Sequence, residues 1–272
     1  MIHLKYIKLI GLISLICFSF FVTDKIIDVS SMQDEIMIKI KEEASLFSKS
    51  PKDAIINGDY IIPGVSGRNV DINKSYNEMK KIGYFDKSLF KYEKILPNIS
   101  IYNNYDKYII HGNDLTKNVS LIYIINNKNS LNNFLSVFKT KEKINFFIDS
   151  NILSNSLNII DEIGRNNIYN YGNNGKYTRD NLLITNNIIN NKANNLSSFC
   201  LFLEVNDASL KNCANSKMLS VMPNIIGYTN LKKKLINGSI ILLDNIKETN
   251  NIIDFVNSKG FSIVTLDELI NE

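Results

Sequence analysis

The chain has 272 residues, 44% of them hydrophobic and 21% charged, with a formal net charge of +4. That length accommodates one large α/β domain plus a smaller appendage, and that composition is globular, not disordered. The charge is small, the Lys residues are scattered, and no basic stripe is interleaved with aromatics, so nucleic acid is excluded as an expected partner.

At the N-terminus, "MIHLKYIK" places Lys5 and Lys8 ahead of the apolar run "LIGLISLICFSFFV" at 9–22. The run is short for a bilayer span, but Tyr6 and Ile7 extend it and Lys8 can snorkel, giving a span over 6–22. A cleaved signal peptide is the alternative, and Cys17-Phe18-Ser19 is a poor cleavage site. The expectation is an uncleaved signal-anchor: a cytoplasmic tail and transmembrane helix within 1–25, and a single-pass cell-membrane protein with its C-terminal domain extracytoplasmic. Next, "SSMQDEIMIKIKEEASLF" reads as an amphipathic helix with Ser31 and Asp34 as a capping pair, a stalk within 26–56. A turn-rich module follows over 57–105, broken at Asn57-Gly58, Pro63-Gly64 and Ser66-Gly67, with a helix near 72–81. It is too small to bury a core alone and is expected to pack on the next domain.

Over 106–272 the pattern becomes regular. Strand-like apolar runs fall at 119–125, 144–148, 167–171, 199–205, 219–222, 239–243 and 261–266. Helix-like stretches lie between them at 129–139, 151–164, 179–191, 207–216, 228–236 and 247–258, with Gly164 at a natural helix end. Repeated strand-then-helix units imply parallel strands with right-handed crossovers. Seven such units suggest an α/β barrel whose functional edge is the C-terminal ends of its strands. Cys200 and Cys213 fit no zinc spacing; they read either as small buried hydrophobes or as a disulfide, which an extracytoplasmic setting would preserve.

In order and context, "KNVSLIYIINN", then "INFFIDSNILSNSLNIIDEIGRNNIYNYGNNGKY", then the closing "SIILLDNIKETNNIIDFVNSKGFSIVTLDELI" resemble the polysaccharide deacetylases of the NodB-homology type. The module "PGVSGRNVDINKSYNEMKKIGYF" is similar to the leader of membrane-anchored members. The resemblance implies a distorted (β/α)7-type barrel that removes acetyl groups from chitin, peptidoglycan or other N-acetylated glycans. It also implies a metal held by one Asp and two His, a second Asp as general base and a late His as general acid.

The residues at the matching positions differ. Where the family closes strand one with Phe-Asp-Asp-Gly, this chain has Tyr123-Ile124-Ile125-Asn126, or Asn126-Asn127 in a shifted register. The Asn-His-Ser/Thr-x-x-His position reads Asn170-Tyr171-Gly172-Asn173-Asn174-Gly175, and the late Leu-His-Asp is reduced to Leu243-Asp244. The chain has two His, His3 and His111, and neither lies within 112–272. Asn offers no anionic ligand and accepts no proton as a base. The expectation is therefore no catalytic residue, no metal and no cofactor: a pseudoenzyme whose old groove binds glycan or a cell-envelope partner. Asn126, Asn127, Asn170, Asn173 and Asp244 would offer hydrogen bonds there, and Tyr169 and Tyr171 a stacking face. The competing reading is an enzyme acting on N-acetylated polysaccharide with non-standard residues, an acid–base pair drawn from Asp149, Glu204, Asp207 and Asp244.

Overall fold

A computed structural model describes residues 13–16, 18–19, 34–137 and 143–272. Most of the expected 6–22 span, Lys5, Lys8 and Ser31 lie outside the described residues. Among the described residues no helix is long and apolar enough to cross a membrane.

The strands, in chain order, are β1 (Ile55–Asn57), β2 (Tyr60–Ile62), β3 (Gly67–Val70), β4 (Tyr92–Ile95), β5 (Tyr108–Ile109), β6 (Asn118–Ile125), β7 (Ile144–Ile148), β8 (Ile168–Asn170), β9 (Phe199–Leu201), β10 (Leu219–Val221), β11 (Ile225–Ile226), β12 (Ile240–Leu242) and β13 (Ser262–Val264). They fall in two compact units, Met1–Ser50 with Gly67–Ile95, and Pro51–Ser66 with Leu96–Glu272. This division differs from the expected 26–56 stalk and 57–105 leader. The reason is burial: an amphipathic helix must cover its apolar stripe. The Glu35–Phe47 helix does so by burying Met37 and Ile40 with Val70, Tyr76, Met79 and Phe90. Asp34 is itself the cap of that helix, its carboxylate accepting from Ile36 N at 2.9 Å and from the Tyr76 hydroxyl at 3.0 Å. The Ile36 hydrogen bond, reinforced by Tyr76 and Lys80, outweighs partial desolvation and holds this carboxyl below the ordinary aspartate range. Within the same unit, β3 and β4 pair antiparallel, and the Ile72–Ile82 helix stops at Gly83, whose φ of +80° suits glycine.

The larger unit contains strands at all seven positions read from the sequence, and two parallel sheets built from them. One runs β1-β2-β5-β10-β9; the other runs β11-β12-β6-β7-β8, with β13 also pairing β6. Every ladder in them is parallel except β1 with β2. The Ile144–Ile148 strand, apolar except for Asn145, is buried at every position, as a strand covered on both faces requires; the Asn145 amide donates to Ser120 Oγ and Leu121 O, each at 2.8 Å. Alternation sorts its side chains. Ile144, Phe146 and Ile148 join the core beneath the helices, while Phe147 faces a second core shared by both sheets with Ile122, Tyr169, Leu201, Val221 and Leu242.

Among the described residues no ladder joins β8 to β9 or β10 to β11, so the arrangement is two facing sheets and not a hydrogen-bonded cylinder. Side chains replace the missing β8–β9 ladder. Asn195 receives from Ile168 N and donates to Ile168 O, and Ser197 Oγ accepts from Asn170 N. The Tyr177 hydroxyl accepts from Leu201 N at 2.8 Å. These bonds satisfy the strand edges that would otherwise pair.

Two local features also depart from the sequence pattern. The 151–164 stretch is two helices, Ser150–Asn155 and Ile159–Ile163, separated by turns at Ser156 and Asn158. The stretch 199–205 is a strand only to Leu201. Cys200 in β9 and Cys213 in the Asp207–Asn215 helix are disulfide-bonded, with sulfurs 2.07 Å apart, inside a cluster with Tyr108, Tyr177 and Phe202.

Candidate functional site

The C-terminal ends of β6 and β12 open into a groove of about 600 Å³. Asn126, Asn127 and Ser130 line it after β6, Tyr171 and Asn174 after β8, and Leu243, Asp244 and Lys247 after β12. The first wall is well ordered chemically: Asn127 Oδ1 accepts from Ser130 N at 2.8 Å, and Asn127 Nδ2 donates to Asn126 Oδ1 at 2.9 Å. Opposite, Asp244 carries its carboxylate directly over Gly227. A Cβ on Gly227 would lie 2.6 Å from Asp244 Oδ2, and its φ is +70°, so only glycine leaves that carboxylate in place.

The sequence candidates divide three ways. Asn126, Asn127, Tyr171 and Asp244 do converge on this groove. Asn173 lines a neighbouring groove instead, its Oδ1 accepting from Asn151 Nδ2 at 3.0 Å. Tyr169 and Asn170 reach neither and are fully buried. Strand alternation accounts for Tyr169: residues 169 and 171 share one face, and that face is the inter-sheet core. The Tyr169 ring stacks on Phe147 at 5.2 Å, its hydroxyl is bonded to Asp267, and burial pushes its pKa far above the ordinary phenol value. Tyr171 presents only 6% of its surface, so neither ring is a stacking platform. Asn170 spends its amide internally, donating to Asn181 O and Asn186 Oδ1 and accepting from Ser150 Oγ and Gly172 N.

Residues that the sequence did not single out complete the lining, among them Asn129, Asn133, Asn174 and Asn245. Their signal was position just after a strand or in the first turns of the following helix, obscured by the abundance of Asn throughout the chain.

The acids of the competing reading do not converge. Asp149 is 5% exposed and caps the Ser150–Asn155 helix, accepting from Asn151 N at 2.8 Å and from Asn174 N at 2.6 Å. Glu204 and Asp207 are exposed and outside the groove lining, which leaves Asp244 as its one carboxylate among the described residues. Hydrolysis of a glycosidic bond by two carboxyl groups needs a pair roughly 5–10 Å apart across the substrate.

A catalytic zinc needs about three His or carboxylate ligands with an open position. At the positions matching such a set stand Ile124 and Ile125, or the neutral amides of Asn126 and Asn127 in the shifted register, with a phenol at Tyr171 and no side chain at Gly175. Burial, aided by the Asp149 charge, raises the Tyr171 pKa, which keeps that oxygen protonated and a poor ligand. Among the described residues no three His, Cys, Asp or Glu side chains gather as ligands. The residues present do not fit the metal that the resemblance implies.

No family model matches the chain. The uncharacterized protein YlxY of Bacillus subtilis (strain 168) is 25% identical over 142 residues, which are 51% of this chain and 44% of that protein. The match thus spans less than half the length of that relative. Among solved structures, wild-type BA3943 from Bacillus anthracis, a CE4 family pseudoenzyme, superposes with a TM-score of 0.61 at 22% identity, covering 88% of this chain and 96% of that one. A BA3943 mutant described as having restored enzymatic activity gives a TM-score of 0.61 at 21% identity over 88% of this chain and 99% of that one. The Bc1960 peptidoglycan N-acetylglucosamine deacetylase gives 0.51 at 19% identity over 60% of this chain and 92% of that one. At these identities the likeness speaks for the fold, and the fold agrees with the resemblance in the sequence: the chain carries the CE4 polysaccharide-deacetylase fold.

Proposed function

We propose that this is a catalytically inactive, deacetylase-like protein of the cell envelope. Its strand-end groove holds an N-acetylated glycan, and the two facing sheets act as the halves of one distorted barrel. The observation that carries the reading is the groove itself. It keeps the position of an active site on this fold, yet its lining is amides and hydroxyls around the single carboxylate of Asp244. Amides donate and accept at once, which matches sugar hydroxyls and acetamido groups better than it matches proton transfer.

Titration calorimetry of the purified protein with N-acetylglucosamine oligosaccharides is expected to show binding. Asn126→Ala should weaken it by about fivefold, the worth of one hydrogen bond near 1 kcal/mol. Absence of binding to every N-acetylated oligosaccharide tried would remove this reading.

The proposed setting is the outer face of a membrane, with residues 6–22 as tether and Lys5 and Lys8 on the cytoplasmic side. Protease added to intact cells should then digest 106–272. Protection in intact cells, with digestion after lysis, would reverse the orientation.

A further inference from the structure

We propose that the end of the larger unit opposite the strand-end groove is a docking surface for an anionic lipid bilayer. Five lysines, Lys117, Lys232, Lys233, Lys234 and Lys259, meet the headgroups, with Leu115 and Ile236 among them. The proposal goes beyond the glycan reading and shares with it only the membrane tether.

Scattered in sequence, these lysines are gathered by the fold. Where parallel strands alternate with helices, strand starts and the ends of the preceding helices share one edge. Lys117 immediately precedes β6. Lys232, Lys233 and Lys234 close the Gly227–Lys234 helix ahead of β12, and Lys259 follows the Thr249–Ser258 helix ahead of β13. Hydrogen bonds fasten the three loops together. Gly238 N donates to Asn118 O at 2.9 Å, Asn237 Nδ2 to Asp114 O at 2.8 Å, and Ser262 N to Lys117 O at 2.8 Å. The groove lies at the other ends of β6 and β12, and the eight residues of β6 put roughly 25 Å between the two sites.

All five lysines are exposed, and none has an ion pair among the described residues. Three rest on rings instead. Lys232 Nζ is 4.2 Å from the Tyr228 ring centre, Lys259 Nζ 5.5 Å from that of Phe255, and Lys117 Nζ 5.8 Å from that of Phe261. Tyr228 and Phe255 meet edge to face at 6.2 Å, so the two helices present their ammonium groups over one aromatic base. The stems are thereby placed while no carboxylate takes up the charge. Asp114 is the one acid in the loops 112–117, 235–239 and 259–261, and Lys52 lies 4.0 Å from it. Charge alone fits any polyanion; the apolar side chains single out lipid. Leu115 and Ile236 are 57% and 47% exposed, on the two loops that Asn237 joins. Large apolar groups among lysines suit the boundary of headgroups and acyl chains, where apolar burial and attraction to anionic lipid add together. A soluble phosphate polymer gives those groups nothing to bury in. With residues 6–22 as tether, such a surface is close at hand, and the groove opens away from it.

The test floats the full chain with vesicles of phosphatidylcholine, alone or with about one-third phosphatidylglycerol, and then acylates exposed lysines with a water-soluble reagent. Read by mass spectrometry, the five lysines should react about fivefold or more slowly on the anionic vesicles, the effect of one lysine at an anionic surface. Lys128 and Lys176, exposed on the groove side, should react alike on both. Salt at about 1 M, with a Debye length near 3 Å, should abolish the difference. Lys232→Gln/Lys233→Gln/Lys234→Gln and Leu115→Ser/Ile236→Ser should each remove most of the protection of Lys117 and Lys259, with thermal melts establishing that both variants are folded. Flotation without lysine protection, or folded variants that keep full protection, would overturn the docking surface; flotation on neutral vesicles would still support the tether. Flotation and protection on anionic vesicles alone would keep the surface and remove the tether. Flotation with neither would remove both. Equal protection by a soluble glycerol-phosphate polymer at matched phosphate would also overturn the lipid surface.

Discussion

Incubated with zinc and either N-acetylated oligosaccharides or peptidoglycan, the purified protein is expected to release acetate no faster than buffer. Enzymes of ordinary competence accelerate their reactions by about 10⁶-fold or more. On this fold that acceleration would require a metal to polarise the carbonyl and deliver hydroxide. The groove supplies Asn126, Asn127 and Tyr171 where ligands would have to be, and Asp244 as its one carboxylate. A lone general base contributes roughly 10²–10⁴-fold, far short of that requirement. No shift of register helps, because the chain has no histidine between 112 and 272 to bring in. The assay is acetate detection with and without chelator, beside a zinc stoichiometry measurement on the same sample. Acetate release that disappears on chelation and returns with zinc or cobalt would defeat the inactive reading.

Loss of the Cys200–Cys213 bond is the largest stability change expected. The double variant Cys200→Ala/Cys213→Ala should cost about 3 kcal/mol, the loop-closure entropy of a short cross-linked segment; here the separation is 13 residues. Against a total stability of roughly 5–15 kcal/mol this is a large fraction. Both sulfurs are fully buried beside Tyr177, whose hydroxyl bridges Leu201 N and the carbonyl of Asn170. Loosening β9 therefore also loosens the turn that carries Tyr171 and Asn174. The melting temperature should fall by about 6–12 °C, read by calorimetry or circular dichroism. A midpoint unchanged within about a degree would show that packing alone secures this corner.

The two longest strands of the larger unit, Asn118–Ile125 and Ile144–Ile148, were the most legible because each sustains a nearly unbroken apolar run. Runs such as 119–125 and 144–148 are apolar but for Ser120 and Asn145, which marks strands buried on both faces. The short strands β5 and β11, two residues each, carry no such signal and exist only through pairing. The 199–205 run looked like one strand because apolarity continues to Val205, yet the backbone leaves the sheet after Leu201 and exposes Leu203 and Val205. In the site, position after a strand was enough to find Asn126, Asn127, Tyr171 and Asp244. It could not tell Asn126, which faces the groove, from Asn170, which is spent on buried partners. That difference lies in tertiary hydrogen bonds that a one-dimensional pattern does not contain. Asp34, read in the sequence as the partner of Ser31 in a capping pair, is itself the N-cap of its helix, and Asp149, read as a candidate acid, caps the Ser150–Asn155 helix; each accepts from a backbone N–H two residues on.

Within the larger unit, Glu272 is buried, its carboxylate accepting from Gly64 N at 2.6 Å and from Ile101 N at 3.2 Å, and receiving the Ser100 hydroxyl as well. Gly64 and Glu272 are 208 positions apart. A ribosome adding about 5–20 residues per second takes roughly ten to forty seconds to cover that distance. Until then Gly64 N lacks its carboxylate partner, and the β1–β2 hairpin just upstream stands ahead of β5, β10 and β9, the strands that complete its sheet. That hairpin keeps Ile55 and Ile56 exposed even in the finished fold. During synthesis, therefore, an apolar hairpin with an open edge waits for strands that lie far downstream in the chain.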